Sequence, residues 1–190
     1  MRKILQNLYK ISLLKRLIPS LIKLFIRVTK LNNIMIEHNN FIINLNLNNP
    51  IDREIYLKNA YEIKQVEFLS KQIHINNFNI FIDIGAHLGF YSLIFSSKNM
   101  KVYSFEPVLN NFEQQKKNQE DNKFNNMKIF NIALSDRKKK IKMWVPDKKK
   151  TGGFSIYDNN DDEIIKYNRN RIYELECESD LGDSLLNIKD

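Results

Sequence analysis

The chain has 190 residues, 43% of them hydrophobic and 27% charged, with a formal net charge of +8. That length supports one domain with a core, or one domain plus an extension, and the composition excludes disorder as the default. A single cysteine, Cys177, excludes an internal disulfide and any cysteine-based zinc or iron–sulfur site within one chain; His38, His74 and His87 show no metal-ligand spacing, so no metal is expected.

The positive excess is localised. Residues 1–30 hold Arg2, Lys3, Lys10, Lys15, Arg16, Lys23, Arg27 and Lys30, and the first acid is Glu37. These eight account for the whole excess, because the remaining 160 residues set 22 basic against 22 acidic groups. A balanced body argues against nucleic acid as a partner. The lone cysteine suits a reducing compartment, so a cytoplasmic location is expected.

In chain order, the basic arm comes first. Ile4, Leu8, Ile11, Leu14 and Ile18 recur along one helical stripe, with Lys15 intruding beside it. Pro19 is expected to interrupt the helix. Beyond it Leu21, Phe25 and Val28 oppose Lys23, Arg27 and Lys30 on a second amphipathic stretch. The longest charge-free run, Leu17 to Ile22, falls far short of the roughly 20 apolar residues that span a bilayer. Charges recur through the arm and no small-residue cleavage site follows, so a secretory signal is a poor match. Two readings stay open: a helix packed on the domain with its charged face in water, or a peripheral helix on the anionic inner face of a membrane.

Alternation in residues 41–47 predicts a strand that pairs with residues 34–36 through a turn at 37–40. Asn49-Pro50 is expected to end that unit. Ile63, Val66, Leu69 and Ile73 predict a helix over residues 61–73. Residues 79–84 contain a short apolar run of the kind buried on both faces of a parallel sheet. A helix over 90–97, a strand over 101–105, a polar helix over 110–122 opened by asparagine caps and a strand over 127–132 follow. This strand–helix alternation predicts an α/β fold with a parallel sheet. Beyond Asp136, residues 141–145 read as a strand, Thr151-Gly152-Gly153 as a turn, 154–157 as a returning strand and 159–162 as a loop. Residues 172–177 form one more candidate strand, and a helix begins at Leu181.

The chemistry centres on Asp83-Ile84-Gly85-Ala86-His87-Leu88-Gly89. A glycine loop between a strand end and a helix start lets backbone approach a nucleotide-like ligand. Glu106 lies 23 residues after Asp83, at the end of the second strand, where a carboxylate accepts hydrogen bonds from ribose hydroxyls. A dinucleotide fingerprint would read Gly-x-Gly-x-x-Gly to cradle a pyrophosphate. Asp-x-Gly-x-x-x-Gly suits S-adenosylmethionine instead, which has no diphosphate and whose amino group an acid at the strand end can organise.

With Val102-Tyr103-Ser104-Phe105-Glu106-Pro107, Asn111-Phe112 and Asn131-Ile132-Ala133-Leu134-Ser135-Asp136, the loop resembles the FkbM family of S-adenosylmethionine-dependent methyltransferases. The resemblance extends back to Tyr61-Glu62 and forward through Gly153-Phe154-Ser155, across about residues 50–190. It implies a Rossmann-like class I methyltransferase three-layer sandwich, here with an N-terminal helical arm and hairpin and incomplete at the C-terminus. Residues 1–30 would be the arm, and 31–190 the donor-binding half of the methyltransferase domain. Asp83, Gly85, Ala86 and Gly89 would form the donor loop, Glu106 would hold the ribose, Ile132 and Ala133 would lie near the adenine, and Tyr61 and Glu62 on a segment covering the pocket. For Tyr61 and Glu62 an ordinary helix start, and for 131–136 a strand end without ligand contact, remain open alternatives.

His87 stands where the family usually has asparagine and reads as structural rather than as a general base. Trp144, Lys138 to Lys140 and Lys148 to Lys150 read as hairpin packing and solvated loop. The implied reaction is methyl transfer to a hydroxyl of a sugar, polysaccharide or secondary metabolite; no residue is assigned as catalytic base. The family continues, after a segment like residues 183–190, into a fourth strand written Lys-Ile-Asp-Val-Glu-Gly. The chain ends before it, which suggests a truncated frame, an open edge on the first strand and little or no activity for the isolated chain. The alternative is a non-catalytic donor-binding or interaction module.

Overall fold

The computed structural model describes residues 2–145 and 173–186, within a chain that divides into two compact units, residues 1–78 and 79–190. The expected turn at 151–153, strand at 154–157, loop at 159–162 and lysine run at 148–150 lie outside the described residues.

The first unit opens with helices α1 (Arg2–Tyr9) and α2 (Ser12–Thr29). Pro19 does not interrupt α2; the break falls at Lys10 and Ile11. Proline withdraws one N–H from the ladder, but the buried residues Ile18, Ile22 and Ile26 continue as one stripe across it and hold both halves in a single helix. Leu21, Phe25 and Val28, the expected apolar face, are exposed instead. Lys30 closes the helix in the left-handed region at φ 58, its N–H donating to the Ile26 carbonyl at 2.7 Å.

Strands β1 (Asn33–His38) and β2 (Phe41–Asn46) form the expected antiparallel hairpin. Asn39 makes the turn at φ 51, a conformation asparagine tolerates better than most residues. Phe41, Ile43 and Leu45 alternate inward. Asn49-Pro50 does more than end this hairpin: it starts helix α3 (Pro50–Lys58). Asn49 Oδ1 accepts from the Ile51 N–H at 3.1 Å, and its Nδ2 donates to Asp52 Oδ1 at 2.6 Å. Asp52 Oδ2 accepts from the Asn46 N–H at 2.7 Å, tying the strand to the helix. The asparagine cap, the proline at the first helical position and the acid in the first turn were the signal for this helix. At its far end Arg2 Nε and Gln6 Nε2 donate to the Tyr56 carbonyl at 3.2 and 3.1 Å. The arm thus satisfies a carbonyl that the helix end leaves unpaired. Helix α4 (Ile63–Asn76) begins two residues later than expected and buries none of its residues.

The second unit carries a parallel sheet in the order β3 (Ile80–Ile84), β4 (Lys101–Phe105), β5 (Met127–Phe130). Helix α5 (Phe90–Ser96) joins the first two strands and α6 (Leu109–Asn122) the next two. Asp83 is level with Ser104. Phe81 packs against Phe95 of α5 in a tilted pair with ring centroids 4.2 Å apart, and Gln115 of α6 bonds Ser104, so both helices cover the same face of the sheet. The second flanking layer of the expected three-layer sandwich is not supplied by α5 or α6. β3 is at the sheet edge among the described residues, and Ile84 on the opposite face is 65% exposed. The expectation of a strand buried on both faces therefore fails, because α5 and α6 cover only one face and Ile82 and Ile84 on the other stay exposed. The asparagine caps expected for α6 are also absent: Val108 is its cap residue and makes no side-chain cap.

A second sheet has the order β6 (Ala133–Leu134), β8 (Tyr173–Asp180), β7 (Lys139–Val145). β8 runs parallel to β6 and antiparallel to β7. Residues 127–132, expected as one strand, end their pairing at Phe130, and Ala133 passes to the second sheet. A short helix, α7 (Gly182–Leu185), follows β8.

Candidate functional site

Parallel pairing puts the carboxyl ends of β3 and β4 side by side, and the loop 85–89 folds over them. The Gly85 and Ala86 N–H groups both donate to the Phe105 carbonyl, at 2.9 and 3.1 Å. The backbone turns through the left-handed region three times, at Gly85 (φ 75), His87 (φ 54) and Gly89 (φ 81). The two glycines are required for different reasons. A Cβ on Gly89 would sit 2.6 Å from Gln115 Cγ, whereas a Cβ on Gly85 meets nothing within 4 Å. Gly89 is thus a packing glycine under α6, and Gly85 opens onto free space. His87 occupies a left-handed position that asparagine and histidine adopt more readily than most residues.

Glu106 is the organising side chain. It is buried; Oε2 accepts from the His87 N–H at 2.7 Å, and Oε1 from the Val108 N–H at 2.9 Å and Asn111 Nδ2 at 3.3 Å. A carboxylate has about four acceptor positions, so among the described residues one remains on Oε2. Burial pushes this carboxyl above its ordinary value against those hydrogen bonds, and the Asp83 charge adds to the rise.

Asp83 faces α5. Its Oδ2 accepts from the Ser92 N–H at 3.2 Å and the Ser92 hydroxyl at 2.6 Å. The Ser92 and Ser104 hydroxyls lie 3.0 Å apart, and Gln115 Nε2 donates to Ser104 Oγ. Gln115, Ser104 and Ser92 form a run of hydroxyl and amide groups ending on the Asp83 carboxylate. Burial pushes Asp83 upward while the Ser92 bonds oppose it. Its second oxygen, Oδ1, takes no hydrogen bond among the described residues.

Ile132 and Ala133 are half-buried where the chain leaves the parallel sheet. Asn131 Nδ2 anchors that crossing by donating to the carbonyls of Glu106 and Pro107 at 2.9 and 3.1 Å. Asp136 points to solvent, and the Arg137 side chain holds its carboxyl down to about 2. Cys177 on β8 is pushed up to about 11 by burial, with Glu106 and Glu178 adding to it, so its thiol stays protonated and is a poor nucleophile. Tyr61 and Glu62 belong to the first unit, where Glu62 precedes α4 at φ 47 and burial raises the Tyr61 hydroxyl, helped by Glu62.

No role was expected for Ser92, Ser104 or Gln115, nor for Asn118, whose Nδ2 donates to the Leu88 carbonyl at 3.3 Å. A signal existed on α6: Asn111, Gln115 and Asn118 recur at helical spacing and are the three buried residues of that helix. The helix was expected only to be polar, whereas its buried amides form one face beneath the loop. Among the described residues no cluster of His, Cys, Asp and Glu could hold a metal.

Two carboxylates raised by burial, one with an unused oxygen and the other with an unused acceptor position, suit a ligand that is cationic and carries hydroxyl or ammonium donors. No family model, curated protein or solved structure matches the chain.

Proposed function

We propose that the second unit binds S-adenosylmethionine and is the donor-binding part of an FkbM-like methyltransferase. The observation that carries this reading is the pairing of Asp83 and Glu106 on adjacent strand ends, each with acceptor capacity to spare, beneath an exposed Gly85 with no atom in the place of its Cβ. The residues present fit the group. Asp83 would take the methionine ammonium and Glu106 a ribose hydroxyl, while Gly85 and Ala86 would give a backbone surface held in place by Gly89 against α6, and Ile132 and Ala133 an apolar side for the adenine. The group supplies a sulfonium-activated methyl for displacement. The chain's own part is to bind, orient and partly desolvate. A second hydroxyl contact at Glu106 requires Asn111, its longest hydrogen bond, to yield. The acceptor class proposed is a hydroxyl on a sugar, polysaccharide or secondary metabolite, which needs a base that none of these residues provides.

The edge of β3, unpaired among the described residues, favours a second reading, a donor-binding module that completes its sheet with a partner strand. Calorimetric titration of the chain with S-adenosylmethionine and with NAD tests the primary reading. Saturable binding of the methyl donor, weakened at least tenfold by Glu106→Ala, is expected. Binding of NAD with no response to the methyl donor would overturn it.

A further inference from the structure

Helix α2 has two apolar rows, and the structure buries only one. Ile18, Ile22 and Ile26 are buried. At about 100° per residue, Leu13, Leu17, Leu21, Leu24 and Val28 fall within an arc of about 80° on another side of the helix. All five are exposed, Leu13 at 78% and Val28 at 74%. A row of this length and continuity is unlike the scattered exposed leucines of an ordinary surface.

The cations have a fixed place beside it. Arg16, Lys23, Arg27 and Lys30 occupy an arc of about 60° at the same pitch, between the leucine row and the buried isoleucines and about 40° from the edge of each. All four are exposed, and no ion pair among the described residues involves them. No acid occurs before Glu37. Around the helix these four cations therefore separate the protein-facing isoleucines from the exposed leucines, while the exposed Lys15 falls in the isoleucine sector.

We infer that α2 docks this unit onto an anionic lipid surface, lying in the interface with the leucine row in the acyl boundary and the Arg16, Lys23, Arg27 and Lys30 side chains reaching the headgroups. Charge complementarity names the occupant: an anionic bilayer offers apolar depth and negative charge side by side, and long basic side chains bridge the two. A nucleic acid gives the leucines nothing to bury against. The helix lies on the surface, since no described helix is long and apolar enough to cross a membrane. Vesicle binding is independent of methyl transfer, so the proposal stands or falls apart from the donor site.

The experiment is flotation of the full chain with vesicles of neutral phosphatidylcholine, and with vesicles containing a substantial fraction of phosphatidylserine. Binding to the anionic vesicles alone, weakening with added salt, is expected. Reversing three cations, Arg16→Glu, Lys23→Glu and Arg27→Glu, should lower partitioning by on the order of a hundredfold or more at low salt. Leu17→Asp with Leu24→Asp should abolish it, and because both residues are exposed the circular dichroism melt should be unchanged. Absence of binding, equal binding to neutral vesicles, or binding indifferent to both variants would overturn the proposal. So would concentration-dependent self-association of the chain that Leu17→Asp with Leu24→Asp removes, without vesicle binding by the parent chain.

Discussion

Substituting alanine at Gly89 and Gly85 separates packing from conformation in the glycine loop. Both residues sit in the left-handed region, at φ 81 and φ 75, which costs an alanine about 1–2 kcal/mol. Only at Gly89 does the new methyl meet an obstacle, Gln115 Cγ and Nε2 at 2.6 Å. Gln115 is fully buried and bonded to Ser104, so it cannot swing aside without breaking that bond, and overpacking of this kind adds about 1–3 kcal/mol. Gly89→Ala should therefore cost about 2–5 kcal/mol, and Gly85→Ala about 1–2 kcal/mol. Urea unfolding followed by the fluorescence of Trp144, the only tryptophan and part of the second unit, measures both without assuming that the two units unfold together. In a Gln115→Ala background the Gly89→Ala cost should fall to the conformational part alone, a coupling of about 1–3 kcal/mol. Equal costs for the two glycines, or no coupling to Gln115, would refute this account of the loop.

Acidification should act on the second unit in opposite directions. Asp83 and Glu106 both stand above their ordinary values through burial, so the folded state holds their protons more tightly than the unfolded chain. Their contribution to stability is full below the ordinary carboxylate range and is lost as pH rises through the raised values. Binding of the methyl donor needs the ionised forms and should weaken over the same window as pH falls, which calorimetry across pH would show. Asp83→Asn keeps an oxygen for the two Ser92 bonds and removes a buried charge; stability should stay within about 1 kcal/mol of the parent while donor affinity drops at least tenfold. Asn49→Ala removes the α3 cap and one partner of Asp52, and should cost the first unit about 1–2 kcal/mol by thermal unfolding.

The parallel strands were legible because short apolar runs between a glycine loop and polar helices have few other solutions; β4 coincides with its expected span. Elements decided by non-local partners were less so. β8 finds β7 and β6 across long sequence separations, and Ala133 leaves the first sheet for the second, neither of which local alternation encodes. In α2, Ile18, Ile22 and Ile26 and the leucine row are equally apolar, so periodicity named a stripe without saying which one faces inward. For the candidate site, Asp83, Gly85, Gly89 and Glu106 were readable from spacing. The Ser92, Ser104 and Gln115 support beneath them was not, because buried hydrogen-bonded polar residues look in sequence like solvated ones.

Amide chemical-shift mapping during titration with S-adenosylmethionine tests the proposed donor site most directly. Perturbations concentrated at Gly85, Ala86, His87, the residues around Glu106, and Ile132 and Ala133, and lost in Glu106→Ala, are the predicted result. A spectrum unmoved by the methyl donor, or moved only outside the second unit, would contradict it.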